Sequence, residues 1–487
     1  MFLHRISLRG LFYLLCVLLG GLYLLNIYGT LEQPSVYKAP SVNNQRQLAV
    51  RQAMQHAWSG YRTYAFGKDE LQPLTQSSNL RWGNWSISLL DALDTLKLMD
   101  MDKEYQEAKQ FVRHIDFTKS LDYYDVRVFE MIIRALGGLL GAYELDPDPL
   151  LLAKAEEVGQ SLARAFDTPT GLPYASIDLG AKTIRGPYRI CLAEAGTMQL
   201  EYKKLAKLTN NRKYWKMAER VSDVLEAGKR NHQGLYPMDI SVLTGQYFES
   251  DYSVGAAADS FYEYLLKQYV LEKDPKYRKR YETAVDFIHE RLVGQTSSGL
   301  TFIGRMSKDG RLIREQEHLA CFYPGLLALG AQVLDRPQDL VTAEKLAETC
   351  FITYNMTETK LGPERVYFMD NGSNRWGIEF SDSRYILRPE TLESLFILYR
   401  VTGNRKYQEW SWQIFEAIEK YARVETGGYA AILDVRKTGG DNYEDSMESF
   451  FLAETLKYLY LIFAPVDMLP LDKYVFNTEA HPLRVHK

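Results

Sequence analysis

Seven times along the chain, an acidic or polar residue heads an apolar stretch of helical period. The stretches are "DALDTLKLM" from Asp91, "EMIIRALGGLLGAY" from Glu130, "EAGTMQLEYKKLAKL" from Glu194 and "DSFYEYLLKQYVL" from Asp259. "HLACFYPGLLALGAQVL" from His318, "ETLESLFILYRVTG" from Glu390 and "ESFFLAETLKYLYLIF" from Glu448 complete the set. Several are followed by a polar turn and a second helix-patterned run, such as "DKEYQEAKQFV", "NRKYWKMAERV", "PKYRKRYETAVDFI" and "NRKYQEWSWQIFEAI". The repeating unit is therefore a helical hairpin of roughly sixty residues. Its first helix is apolar nearly all round, as a buried helix is, and its second is amphipathic. An open solenoid would leave both helices of each pair partly exposed. The pattern instead predicts an all-α fold, an (αα)7 barrel over residues 47–487, with the polar heads of its inner helices gathered at one end. One carboxylate at a helix start is accounted for by the helix dipole. Seven heads, joined by a polar tail "VFNTEAHP" at 475–482, indicate a site.

The N-terminal pattern is of another kind. "GLFYLLCVLLGGLYLLNIYG", residues 10–29, carries no charge. At about 1.5 Å per residue, a helix of that length crosses the roughly 30 Å hydrocarbon core of a bilayer. His4, Arg5 and Arg9 precede it, which keeps residues 1–9 cytoplasmic and sends the rest to the lumen. The run is long for a signal peptide and lacks a clear small-x-small cleavage site, so it reads as a transmembrane signal anchor of a type II protein. Residues 30–46, polar with two prolines, form a short stem.

Composition narrows the chemistry. The net charge of −4 gives no basic footprint for nucleic acid. The 34 Tyr, 21 Phe and 7 Trp suit a large helical interior better than a carbohydrate-facing surface. Outside the anchor, Cys191, Cys321 and Cys350 allow at most one disulfide and leave one thiol. Sequons stand at Asn84, Asn355 and Asn371. No Cys/His zinc spacing, phosphate loop or Ser-His-Asp signature is present. A pocket of Asp and Glu then points to glycosidic bond hydrolysis, which uses one carboxylic acid to protonate the leaving oxygen and a second carboxylate to activate water or attack. Crowded carboxylates need positive charge nearby. Arg134 lies one turn after Glu130, Arg388 lies two residues before Glu390, and a hard cation such as calcium is the other remedy.

The strings "YAFGKDELQPLT", "LLDALDTLKLM", "FEMIIRALGGLLGAYEL", "DSFYEYLLK", "HLACFYPG", "YILRPETLESLFILYR", "MESFFLAETLKYLYLIF" and "VFNTEAHP", in this order over about 47–483, resemble class I α-mannosidases of glycoside hydrolase family 47. The resemblance implies an (αα)7 barrel and calcium-dependent, inverting removal of terminal α-1,2-linked mannose from high-mannose N-glycans. It implies Glu130 as general acid, with Asp259 and Glu390 as candidate bases and Glu390 favoured. Arg134, Glu263, Glu364, Arg388, Glu393, Phe450, Glu454 and Glu479 match substrate, water-shell or acidic pocket positions, and His318 matches a histidine on the pocket wall. Thr478 matches the one direct protein ligand of calcium. Cys321 and Cys350 match the family's disulfide, leaving Cys191 free. Asp91 and Glu448 read equally well as helix caps, Phe450 as core, and His481 as a structural hydrogen-bonder. Ala257 replaces the Arg or Leu of relatives, which implies trimming of several mannoses, and Glu317 stands where Asp is frequent. The expected setting is the Golgi or endoplasmic reticulum membrane, with a monomeric luminal domain. The alternative function is that of a quality-control factor acting on misfolded glycoproteins.

Overall fold

The computed structural model describes residues 42–120, 125–181, 186–232, 234–370, 372 and 374–485. The expected tail 1–9, the anchor 10–29 and the sequon at Asn371 lie outside these residues, as does most of the stem. Among the described residues no helix is long and apolar enough to cross a membrane. The compact unit that carries the helices is Asn43–Lys487, and its first helix, α1 (Val42–Tyr64), takes in the end of the expected stem.

The structure is mostly helical and built of hairpins. In chain order they are α2 (Ile87–Leu98) with α3 (Asp102–Val112), and α4 (Val128–Met131) and α5 (Gly137–Leu145) with α6 (Pro149–Ala163). Next come α7 (Leu192–Gly196) and α8 (Gln199–Thr209) with α9 (Arg212–Ala227), then α10 (Asp259–Glu272) with α11 (Pro275–Arg291). The last are α12 (Tyr323–Leu334) with α13 (Pro337–Asn355), α14 (Glu390–Thr402) with α15 (Lys406–Tyr421), and α16 (Leu456–Phe463).

Local chemistry sets the hairpin turns. α8, α10, α12 and α14 end on left-handed residues, Asn210, Lys273, Asp335 and Gly403. The helices α6, α9 and α11 start on Asp148, Asn211 and Asp274, whose side chains accept the backbone N–H two residues on. Proline follows at Pro149 and Pro275, where its missing N–H costs nothing. The amphipathic reading holds: α9 buries the stripe Tyr214, Ala218, Val221, Ser222 and Leu225, whereas ten of the residues of α2, Asp91 and Asp94 among them, are buried.

Each fully buried helix packs on the next: α2 on α5, α5 on α8, α8 on α10, α10 on α12, α12 on α14, and α14 on α16. The segment Phe451–Thr455, which opens α16, packs back on α2. From the N-terminal side, α1 lies against α15 and the end of α16, where Arg46 pairs with Glu409 and covers Trp412 and Phe463.

Two features depart from the all-α expectation. Short antiparallel strands line the connections, including the sheet β1 (Glu315–Glu317), β2 (Arg365–Phe368) and β3 (Ile378–Asp382). A C-terminal hairpin joins β4 (Tyr474–Phe476) to β5 (Pro482–Arg484). Two buried helices also open as π-helix, at Ile132–Leu136 and Phe451–Thr455. Widened turns of this kind recur at functional sites, and these two carry Arg134 and Glu454.

Candidate active site

A cavity of about 370 Å³ opens among the starts of the buried helices. Glu130 and Arg134 reach it from α4 and the π turn, and Asp259 and Glu263 from α10. Glu390 and Glu393 come from α14 with Arg388 just ahead, and Phe450 and Glu454 from the last helix. Thr478 and Glu479, from the tip of the C-terminal hairpin, complete the sequence-derived set that lines it. Residues as far apart as Glu130 and Glu479 thus meet because the helix starts and the hairpin tip that carry them lie at the same end.

His318 and Glu364 are not on the cavity wall, as the sequence reading had them, but one layer behind it. His318 is 3 % exposed: Nδ1 meets Glu390 Oε2 at 2.6 Å, and Nε2 meets the Tyr354 hydroxyl at 2.6 Å. Glu364 accepts from Arg388 Nε at 2.8 Å, and the Arg388 Nη1 stands 3.6 Å from Glu390 Oε1. These partners fix the electrostatics of Glu390. Burial alone pushes its carboxyl up, but the His318 hydrogen bond and the Arg388 charge outweigh burial and hold it below the usual range. Burial dominates for Glu364, whose carboxyl is raised despite Arg388.

Asp259 has the opposite setting. Its Oδ1 accepts from the backbone N–H of Ser260 at 2.8 Å, and among the described residues no Lys or Arg pairs with it. Burial, then repulsion by Glu263, Glu317 and Glu390, pushes it up to about 7. Glu130 is held by Arg134 Nε at 2.9 Å. Arg134 also donates to Ser449 Oγ at 3.1 Å and pairs with Glu479. The Phe450 ring separates Arg134 from Arg388, 5.8 and 5.9 Å from the two guanidinium carbons, so it serves the site as well as the core.

The floor is more crowded. Glu393, Glu454 and Glu479 are all raised well above the usual carboxylate range, by burial first and then by carboxylate neighbours. Glu263 and Lys267 form a buried pair beside them.

Thr478 is held from below by its neighbours. Asn477 Oδ1 accepts from the N–H groups of Glu479 and His481, at 3.0 and 2.8 Å. Its Nδ2 donates to Glu201 at 2.8 Å and to the Ile133 carbonyl, inside the first π turn, at 3.0 Å. His481 lies between Asp94 (2.8 Å) and Asp91 (3.3 Å), and Lys457 bridges Asp94 to the Ala480 carbonyl. His481 is thus the structural hydrogen-bonder expected, and Asp91 is a buried anchor rather than a cap. Glycines admit this tail. A Cβ on Gly137 would stand 2.6 Å from Asn477 Nδ2, and one on Gly141 2.7 Å from Asp94 Oδ2.

The donor set can be tested against calcium. Among the described residues no group of three or more His, Cys, Asp or Glu is arranged to hold a metal ion. The Thr478 hydroxyl and carbonyl have no hydrogen-bond partner among the described residues, and the crowded acids of the floor line the same cavity. Oxygen donors beside excess negative charge fit a hard divalent cation that keeps several waters.

Sequence reasoning assigned no role in the site to three neighbours. Glu194 and Cys191 line the cavity, and Tyr354 lies behind His318. Glu194 had a signal, since it heads the third helix. Tyr354 had none, because it comes from an outer helix. Cys321 and Cys350 are bonded, with Cα atoms 6.1 Å apart, and Cys191 is free.

Helical hairpins that hold a pocket of paired carboxylates and guanidinium groups form a site suited to glycosidic bond hydrolysis. The chain belongs to glycosyl hydrolase family 47, whose profile matches residues 53–485. It is 40% identical over 462 residues to the endoplasmic reticulum mannosyl-oligosaccharide 1,2-alpha-mannosidase of Rattus norvegicus, covering 92% of this chain and 70% of that protein. It is 42% identical over 459 residues to a mannosyl-oligosaccharide 1,2-alpha-mannosidase of Arabidopsis thaliana, covering 91% and 79%. Among solved structures, the alpha-1,2-mannosidase from Trichoderma reesei superposes with a TM-score of 0.87 at 33% identity, over 92% of this chain and all of that one.

Proposed function

We propose that this chain is an inverting exo-α-1,2-mannosidase that trims high-mannose N-glycans in the lumen of the secretory pathway, anchored by residues 10–29. The observation that carries this reading is one cavity lined by Glu130, Asp259 and Glu390, with Glu390 held ionised by His318 and Arg388. Glycosidic hydrolysis needs an acid and a second carboxylate in one pocket. The cyclic order of helix contacts, with Phe451–Thr455 back on α2, supports a closed (αα)7 barrel around the cavity.

In this reading Glu130 delivers its proton to the glycosidic oxygen as the bond from C1 breaks. Glu390 takes a proton from the water whose oxygen bonds to C1 from the opposite face. Arg134 holds Glu130, and Arg388 and His318 hold Glu390, so each carboxyl keeps one orientation. Asp259, at about 7, can share either proton. Thr478 would hold calcium through its hydroxyl and carbonyl, with Glu263, Glu393, Glu454 and Glu479 accepting from the waters around it; the ion supplies charge that orients sugar hydroxyls. Ala257 lines the cavity with a left-handed backbone (φ 74°) and a short side chain, leaving room for branch sugars and for removal of several mannoses.

The test is the full chain on a defined high-mannose glycan, with and without a calcium chelator, with the released sugar followed by NMR. Release of β-mannose that stops on chelation is expected. No release under either condition overturns the enzyme reading, and release after full calcium removal overturns the role of Thr478. Activity confined to misfolded glycoproteins would favour the quality-control alternative.

A further inference from the structure

We propose that Tyr354 is a positioning residue for the hydrolysis: its hydroxyl hydrogen-bonds His318 Nε2 and holds that imidazole with Nδ1 facing Glu390. This rests on the reading of Glu390 as the base. The argument begins with valence. A carboxylate only accepts hydrogen bonds, so at 2.6 Å from Glu390 Oε2 the proton of a neutral ring sits on Nδ1. Nε2 is then a buried lone pair, and such a group needs a donor. The Tyr354 hydroxyl meets it at 2.6 Å, on a side chain 1 % exposed.

The groups around the ring are few. Glu390 and Thr391 come from α14, Arg388 from the loop ahead of it, Glu364 from the start of β2, Tyr354 from α13, and Tyr385 packs on Tyr354. On β1, Glu317 is turned away toward the Ala256 N–H and Arg365. On α12, Tyr323 is grouped with Tyr281. The Tyr354 hydroxyl is the nearest polar partner of Nε2, with Thr391 Oγ1 farther off at 3.4 Å.

The fold fixes this contact from both sides. His318 begins the short helix His318–Phe322, which holds Cys321, and Tyr354 lies one turn after Cys350 on α13. The disulfide ties these two elements together. The Gln316 amide nitrogen lies against both sulfurs, at 3.5 and 3.4 Å. Tyr354 and His318 also pack ring on ring, with centroids 5.6 Å apart. The disulfide thus holds the two elements whose Tyr354–His318 contact backs Glu390.

The experiment pairs Tyr354→Phe, which keeps the ring and removes the hydroxyl, with ¹⁵N NMR of the histidine rings in the unmutated full chain. At neutral pH the unmutated His318 is expected to carry a proton on Nδ1, facing Glu390. In Tyr354→Phe, KM is expected to be unchanged and kcat to fall by about tenfold. An Nδ1 without a proton in the unmutated chain overturns the proposal, as does a Tyr354→Phe enzyme with unchanged kcat. The NMR measurement needs neither turnover nor a folded variant, so it stays decisive if the chain proves not to hydrolyse mannosides.

Discussion

Glu390 and Glu393 stand one turn apart on the same helix, both buried and both in the same cavity, yet their carboxyl groups shift in opposite directions. Glu390 backs onto His318 and Arg388. Glu393 faces the floor, where burial and then Glu263 and Glu390 oppose its charge, against Lys267 and a hydrogen bond from Tyr458 that favour it. The contrast shows that burial does not by itself decide the state of a buried acid; the groups one layer behind it do. The wall keeps a carboxylate ionised, whereas the floor gathers acids whose charge a cation or protons must offset.

The largest expected effect comes from erasing the wall's advantage. Glu390→Gln should lower kcat about 10³-fold while glycan binding, measured by calorimetry, persists. An equal loss in Glu393→Gln with binding intact would break the distinction drawn above. Next is the lock beneath the floor. His481→Ala removes a cation set between Asp91 and Asp94 and should cost about 3 kcal/mol in urea unfolding at mildly acidic pH. Burial lowers His481, but Asp94 outweighs it and raises the ring above its usual value. Its contribution is therefore full below the ordinary histidine range and fades as pH rises through the raised value, so the gap to the variant should narrow on the alkaline side. Asp94 is the counterpart: Lys457 and His481 outweigh burial and lower it, so its share is present above the ordinary carboxylate range and lost on strong acidification.

A smaller effect of opposite sign is expected at Asp259. Raised to about 7, it penalises the folded state wherever it is ionised. Asp259→Asn should gain about 2 kcal/mol of stability at mildly alkaline pH, nothing near the ordinary carboxylate range, and lose activity. Unchanged stability across that window would place Asp259 with Glu390 rather than opposite it. The smallest effect is at the ion. Thr478→Ala should weaken calcium binding, read by calorimetry, with a thermal midpoint in chelator close to that of the unmutated chain.

Much of this was legible in the chain. Period and polarity marked the hairpins, since a helix buried on all sides must be apolar on all sides, and the capping residues Asp148, Asn211 and Asp274 mark the outer helix starts. Eleven of the thirteen catalytic, substrate and metal positions taken from the family resemblance line one cavity. The misplaced pair, His318 and Glu364, show the limit. A sequence tells which residues sit near a helix start, but not whether a side chain faces the cavity or the carboxylate in front of it.

The sequence by itself determined the helical hairpins, the buried set and the polar heads, because these follow from local period and from the cost of wetting apolar surface. Tertiary structure alone decided the two π turns, the seating of Asn477 against Gly137 and Ile133, and the Tyr354–His318–Glu390 chain. Each of these joins segments far apart in sequence, and whether a carboxyl gains a proton depends on which of them arrives beside it.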